Sequence, residues 1–229
     1  IVNGLQPILR FTDRDTLLSY LPLCHILERN LSMAMPLVFG YTINFAESIE
    51  TVQQNIQEIG PTFFAAVPRI LEKLHSSVQI RMGDSTRFKR WVYRAWQPVG
   101  RRVSQFEMSG EPVPWGWRLL YALGYLFSYR AIRDKIGMLN CRCLMSGGAP
   151  IAPEILSFFR SLGVRTIEMY GITETAGTVS GPQGTIKHGS VGEPCRALEL
   201  KLAEDGEILL RGDSIFVGYY RDPAATHDV

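Results

Sequence analysis

The sequence predicts an α/β fold: a parallel sheet flanked by helices, with a helical insertion over about residues 84–137, followed by a small partial β-subdomain. Three observations lead there. Short apolar runs at 62–67, 142–145 and 164–169 are strand-sized and alternate with longer stretches of helical periodicity. A strand, a crossover helix and a strand in that order require parallel pairing. After Gly189 the pattern changes to short runs at 198–202, 207–211 and 215–219, with Asp205-Gly206 as a hairpin signal. The expected division is therefore 1–188 for part of the α/β body and 189–229 for the start of a β-rich subdomain.

The elements follow in order. Residues 47–59 carry Ile49, Val52, Ile56 and Ile59 at helical spacing and stop at Gly60-Pro61. The run Thr62-Phe63-Phe64-Ala65-Ala66-Val67 reads as a buried strand, and Pro68 suits the first turn of a helix through about Arg81. Over 86–107, Phe88, Trp91, Ala95, Val99, Val103 and Phe106 share helical intervals, and Pro98 predicts a kink or a division. A Gly-Pro-rich loop at 110–114 precedes a helix over 115–137, with Gly124 as its weak point. Strand 142–145 runs into Ser146-Gly147-Gly148-Ala149-Pro150, 153–162 is a helix ended by Gly163, and 164–169 is the next strand. Both glycine loops, 146–150 and 170–177, fall at carboxyl ends of strands, where open parallel sheets bind ligands.

With 229 residues and 46% hydrophobic content, the chain can bury a real core, which excludes general disorder. It starts at Ile1 without a secretory leader and stops within patterned sequence, which reads as an internal piece of a longer protein. The longest apolar stretch, 117–127, is broken by Arg118 and falls short of the roughly 20 residues a membrane span needs. Cys24, Cys141, Cys143 and Cys195 are too scattered for a disulfide framework, so an intracellular, cytoplasmic setting is expected. Cys141 and Cys143 form a C-x-C pair with no second pair at metal-binding spacing, and a buried strand accounts for them.

The net charge of +2 hides an uneven distribution: residues 81–135 hold 11 Lys+Arg against 4 Asp+Glu, an excess of 7. The same segment carries Trp91, Trp96, Trp115 and Trp117. Basic residues beside aromatics suit an anionic membrane surface, a phosphate-bearing cofactor or nucleic acid, and a solvated helix face is the plain alternative.

The chemistry concentrates in Tyr170-Gly171-Ile172-Thr173-Glu174-Thr175. An aromatic face stacks on a purine, glycine admits close backbone approach, a threonine hydroxyl bonds phosphate, and a carboxylate holds Mg²⁺. The alternative is a simple turn with a solvated Glu174. This run resembles the signature loop of the adenylate-forming enzymes. Ser146-Gly147-Gly148-Ala149-Pro150 is similar to their adenine-side loop and 189–194 to their entry into the β-subdomain. The stretch 206–212, followed by Gly218-Tyr219-Tyr220, is similar to a later family segment. Leu21-Pro22-Leu23-Cys24-His25-Ile26-Leu27-Glu28-Arg29 and the helical insertion resemble the long-chain fatty acyl-CoA synthetases within that family.

That resemblance implies an ATP- and Mg²⁺-dependent ligase that joins a fatty acid to coenzyme A through an acyl-adenylate. It implies adenine contact at Tyr170, a nucleotide and acyl lining at Gly147, Gly148, Ala149 and Gly171, phosphate contact at Thr173 and Mg²⁺ at Glu174. Thr173, Glu174 and His25 are the catalytic candidates, His25 lying near the acyl-carboxylate and thiol entrance; a core histidine with a satisfied hydrogen bond is the alternative. Glu28 and Arg29 are expected to pair locally. The implied partners are fatty acid, ATP and CoA, with peripheral contact at an anionic membrane and no nucleic acid. The family's Ser/Thr/Gly-rich phosphate loop, its ribose-binding aspartate and its C-terminal catalytic lysine have no match in these residues, and Asp213 is not a substitute. The 229 residues alone are therefore expected to be nearly inactive. A non-catalytic nucleotide- or acyl-binding module, and an adenylating enzyme for aryl or amino acids, are the competing functions.

Overall fold

The computed structural model describes residues 2–187, 189–196 and 198–229, with the side chains of 2–4 left aside. In chain order come α1 (Val2–Leu9), β1 (Thr16–Ser19), α2 (Ile26–Arg29), a wide π turn (Asn30–Ala34) and α3 (Met35–Phe39). They are followed by β2 (Thr42–Phe45), α4 (Val52–Ile59), β3 (Phe63–Ala66), α5 (Pro68–Gly83) and α6 (Arg87–Ser109). Next are α7 (Trp115–Gly124), a second π turn (Tyr125–Tyr129), α8 (Arg130–Lys135), β4 (Cys143–Ser146), α9 (Pro153–Ser161) and β5 (Arg165–Glu168). The remainder is β6 (Tyr170–Ile172), a 3₁₀ turn (Thr173–Thr175), β7 (Gly177–Gly181), β8 (Glu193–Pro194), β9 (Glu199–Leu202), β10 (Ile208–Arg211) and α10 (Pro223–His227).

Five strands form one wholly parallel sheet in the order β2-β1-β3-β4-β5, which is the expected α/β class with helices on both faces. Antiparallel pairing begins at Tyr170: β6-β7-β8 make one small sheet and β9-β10 another. The central strands read as unbroken apolar runs because each face meets its own core. Phe64, Ala66 and Leu144 join Val52, Ile56, Leu71, Leu74 and Phe159 on one side. Phe63, Ala65, Cys143 and Met145 join Leu5, Ile8, Leu31 and Met35 on the other. Cys141 and Cys143 thus lie in opposite cores, and burial pushes the Cys141 thiol up to about 12. All four cysteines are unbridged, and both members of the C-x-C pair are buried, Cys143 in β4 and Cys141 in the turn before it, so the buried-strand expectation is met for Cys143 alone.

Of the kink or division expected at Pro98, the division does not occur: helix α6 runs from Arg87 to Ser109 with Pro98 inside it. The 115–137 helix changes to a π turn directly after Gly124, its expected weak point, where a Cβ would collide with the Tyr129 and Trp96 rings. Gly100 plays a matching part in α6, since a Cβ there would strike the Ser161 carbonyl at the end of α9. Residues 215–219, expected as a strand, are irregular: the Ile215 amide turns back to Gly212 O and the Phe216 amide donates to Glu174 O at 2.8 Å. Strands β1 and β2 and helices α1 to α3 were not anticipated. Among the described residues, no helix is long and apolar enough to cross a membrane.

At the amino edge of the sheet, Asp15 is 3% exposed and receives Arg142 Nε at 2.7 Å and Nη2 at 2.6 Å. The Thr62 hydroxyl donates to the same carboxylate at 2.7 Å and the Thr12 amide at 2.9 Å. Burial pushes the Asp15 carboxyl up, but these four donors outweigh it and hold it below the usual carboxylate range. Replacing Asp15 by Asn leaves the guanidinium without its counter-charge, and a loss of about 2–3 kcal/mol in urea unfolding is expected. Because the native value is depressed, this contribution is present above the unfolded aspartate value and is lost as pH falls through the lower native one. The difference in unfolding midpoint between wild type and Asp15→Asn should shrink along that acid limb; a pH-independent difference would refute the linkage.

Candidate functional site

At the opposite, carboxyl edge, β4 ends in Ser146 and the chain continues through Gly147 and Gly148, while β5 ends next to Tyr170. A cavity of about 200 Å³ lies between them. It brings together six of the predicted site residues: His25, Gly147, Gly148, Tyr170, Gly171 and Thr173. Met145 and Met169, at the ends of β4 and β5, also line it, as does Ile26 beside His25. Ala149 and Glu174 lie outside the lining; Ala149 is exposed and Glu174 half-exposed.

The glycines are required by geometry. Gly148 has φ +87° with open space where a Cβ would project, and a Cβ on Gly147 would come within 3.1 Å of Met169 O. Gly171 faces Gly177 so closely across β6 and β7 that any Cβ would collide with the Gly177 carbonyl. The 3₁₀ turn between those strands is held by Thr175 Oγ1, which donates to Ile172 O at 3.0 Å and to Gly177 O at 3.2 Å. Asn30, a residue the sequence reading passed over, anchors the hairpin from below: its Nδ2 donates to Ala176 O at 2.7 Å. That bond holds Ala176 where its φ is +56°.

His25 is exposed, not a core residue, and caps α2 by accepting the Leu27 amide on Nδ1 at 3.2 Å. The bond requires an unprotonated Nδ1, so the neutral ring carries its proton on Nε2. Glu28 and Arg29 bond locally, as expected, but to different partners. Buried Glu28 accepts the Leu21 amide at 3.1 Å and the Ser32 hydroxyl, while Arg29 Nε donates to Leu23 O at 3.1 Å. Together they fix the loop that presents His25.

Glu174 has an unforeseen partner, Tyr219, whose hydroxyl donates to Oε1 at 2.6 Å. The Gly218-Tyr219-Tyr220 stretch was legible as a motif, but a strand reading gave no reason to place Tyr219 at the loop. With the Phe216 amide on Glu174 O, two contacts tie residues 216–219 to the 3₁₀ turn. The Tyr219 hydroxyl bond, then the residue's own amide, holds the Glu174 carboxyl below the usual range; burial opposes this weakly.

The lining has groups of the kind a nucleotide uses: small residues open two strand ends, an aromatic ring forms a wall, and a hydroxyl and an imidazole are among the lining groups. Among the described residues no group of three His, Cys, Asp or Glu could hold a metal ion alone. A lone Glu174 nevertheless suits Mg²⁺, which keeps waters and takes its remaining ligands from substrate phosphates.

A parallel sheet with two glycine loops at its carboxyl edge, closing on a small antiparallel sheet, has its cavity where open α/β sheets bind ligands. The profile of the AMP-binding enzyme family matches residues 2–220, and the chain belongs to that family. It is 33% identical over 216 residues to the long-chain fatty acid–CoA ligase FadD15 of Mycobacterium bovis, covering 93% of this chain and 35% of the relative. It is 30% identical over 226 residues to the long-chain fatty acid–CoA ligase ACSBG2 of Rattus norvegicus, covering 94% and 33%. The chain thus spans about a third of the length of these relatives. Among solved structures, a benzoate CoA ligase from Burkholderia xenovorans superposes with TM-score 0.63 at 18% identity, over 100% of this chain and 39% of that one. The O-succinylbenzoate CoA synthetase of Bacillus subtilis bound to AMP gives 0.62 at 19%, over 98% and 38%, which is a likeness of fold.

Replacing Tyr219 by Phe removes the one side-chain donor to Glu174 among the described residues. The Glu174 carboxyl should then titrate higher, toward an ordinary glutamate, in a carbon-detected NMR titration of the full chain. An unchanged titration would show that Tyr219 does not set the carboxylate. Since the native value is the depressed one, the bond stabilises the fold above the unfolded glutamate value and ceases to do so as pH falls through the native one.

Proposed function

We propose that this chain supplies the nucleotide- and acyl-binding part of an ATP-dependent long-chain fatty acid–CoA ligase. The observation that carries the reading is the single cavity uniting His25, the Gly147-Gly148 loop and the Tyr170–Thr173 loop at one sheet edge. In this reading a fatty carboxylate attacks the α-phosphate of ATP, giving acyl-adenylate and pyrophosphate; the CoA thiol then displaces AMP and leaves the acyl thioester. Tyr170 faces adenine, and Gly147, Gly148, Ala149 and Gly171 let the nucleotide and carboxylate approach the backbone. Thr173 donates to phosphate, and Glu174, oriented by Tyr219, holds Mg²⁺. His25, with its proton on Nε2, stands where the carboxylate and thiol enter. Mg²⁺ held at Glu174 would offset the charge that builds as two anions meet.

Long-chain specificity is supported by the two curated relatives and by the helical insertion. The direct test is calorimetric titration of the chain with a non-hydrolysable palmitoyl-adenylate analogue. Binding should weaken about tenfold or more in Tyr170→Ala, from the loss of base stacking, and an aryl-adenylate analogue should bind less tightly than the palmitoyl one. Tighter aryl binding would overturn the long-chain reading, and no binding of either would overturn the site. A palmitate, ATP and CoA assay of the 229 residues alone should form no measurable acyl-CoA, because several charge-stabilising groups, each worth about 10²–10³ in rate, have no match in them.

Peripheral contact with an anionic membrane belongs to the same proposal. Exposed Trp91 and Trp115 beside exposed Arg87, Arg94 and Arg118 on α6 and α7 support it. Co-sedimentation with phosphatidylglycerol vesicles should fall as salt rises; salt-independent association would count against it.

A further inference from the structure

A second cavity lies away from the glycine loops. It has a volume of about 430 Å³ and lies in the helical insertion, where the end of α5, the start of α6, the second π turn and α8 meet. Helix α5 leaves the carboxyl edge of β3 at Pro68, and the cavity is walled by Val78 and Met82, ten to fourteen residues further on. At 1.5 Å per residue this places it about 15–21 Å along the helix from the sheet edge that carries Gly147 and Tyr170. No residue lines both cavities. Its volume falls within the range of small-molecule sites.

The walls are apolar: Val78, Met82, Phe88, Val92, Phe127 and Ile132. The polar boundary is of one sign. Arg81, Lys89 and Lys135 line the cavity, all three are exposed, and no carboxylate lines it. None of the three takes part in an ion pair among the described residues. Long basic side chains of this kind lay their methylene stems on apolar surface and hold their charges at its rim. Phe88 and Phe127 remain 71% and 62% exposed, so apolar surface is left open beside three uncompensated cations.

An apolar trough with a cationic mouth matches a molecule with a long apolar body and one anionic head. We propose that this cavity binds a free long-chain carboxylate, with its chain against Phe88, Phe127 and Val92 and its head among Arg81, Lys89 and Lys135. The site is separate from the cavity at the glycine loops and does not depend on the ligase reading.

The test is equilibrium dialysis of the full chain against sub-micellar palmitate at low ionic strength. The double variant Lys89→Glu/Lys135→Glu changes only exposed side chains, and it should weaken palmitate binding about tenfold while leaving the uncharged alcohol of the same length unaffected. Ala131→Trp, at an exposed position of the wall, should block both by filling the trough. Tyr170→Ala, in the other cavity, should leave this binding unchanged. Palmitate binding that is the same in wild type as in Lys89→Glu/Lys135→Glu and Ala131→Trp, all of it then lying in the glycine-loop cavity, overturns the proposal, as does loss in Tyr170→Ala of the portion that Ala131→Trp removes. Capture of the chain by phosphatidylglycerol vesicles with no binding of free palmitate overturns it as well.

Discussion

The Asp15–Arg142 pair is the constraint on which the arrangement of the sheet depends. Arg142 precedes β4 and Asp15 precedes β1, 127 residues apart in sequence, and Thr62 from the start of β3 shares the same carboxylate. Arg142 also donates to Leu9 O at 3.0 Å and Arg10 O at 3.1 Å, which brings in the end of α1. One buried carboxylate therefore sets the relative height of three strands and a helix at the amino edge. Parallel strands have no tight turns to fix their register, so a long-range polar anchor does that work. With the amino ends pinned, strands of four residues deliver their carboxyl ends, and hence both glycine loops, at a common level.

The carboxyl edge depends on close approach more than on charge. The β6-β7 hairpin depends on Gly171, where a Cβ would strike the Gly177 carbonyl, on Gly177, where φ is +124° and a Cβ would press on Asn30 Nδ2, and on Asn30, which reaches from the π turn after α2 to hold Ala176. A π turn admits one extra residue per turn and rotates the side chains that follow it. Asn30 is the first residue of that turn and bonds the hairpin, while His25 caps the start of α2 at the same cavity. The segments before and after residue 140 thus meet at the site through backbone contacts that tolerate little change in size.

Some of this was legible in the sequence, for physical reasons. Strands β3 and β4 are buried on both faces and so appear as unbroken apolar runs, and the proline and glycine after each mark the crossings. Strand β1 has only Leu17 and Leu18 between two polar residues; β2 at the sheet edge is largely exposed, and Thr42 and Asn44 dilute its apolar character. The stretch 215–219 has strand-like composition, but its backbone donors are spent on Gly212 and Glu174, a destination no local pattern encodes. The same holds for the site. Glycines and Tyr170 declared themselves by type, whereas Tyr219 and Asn30 matter through partners 45 and 146 residues away.

The basic insertion shows how far composition reaches. Its excess of cations reads as one surface, yet the fold divides them. Arg133 is 9% exposed and gives its guanidinium to Met138 O, Leu139 O, Cys141 O and Gly163 O at 2.8–3.3 Å, closing the turn between α8 and β4. Arg90 spends its charge on Gly83 O and Ser85 O, fastening the corner between α5 and α6. Backbone carbonyls, not carboxylates, accept the hydrogen bonds of both guanidinium groups. The cations that remain outward owe that position to the sheet behind them: α8 must turn one face to Leu144 and Phe159, and whatever stands opposite is left to solvent or to a ligand. Spacing along a helix tells which residues share a face, but only the element packed behind the helix decides which face is spent on the fold.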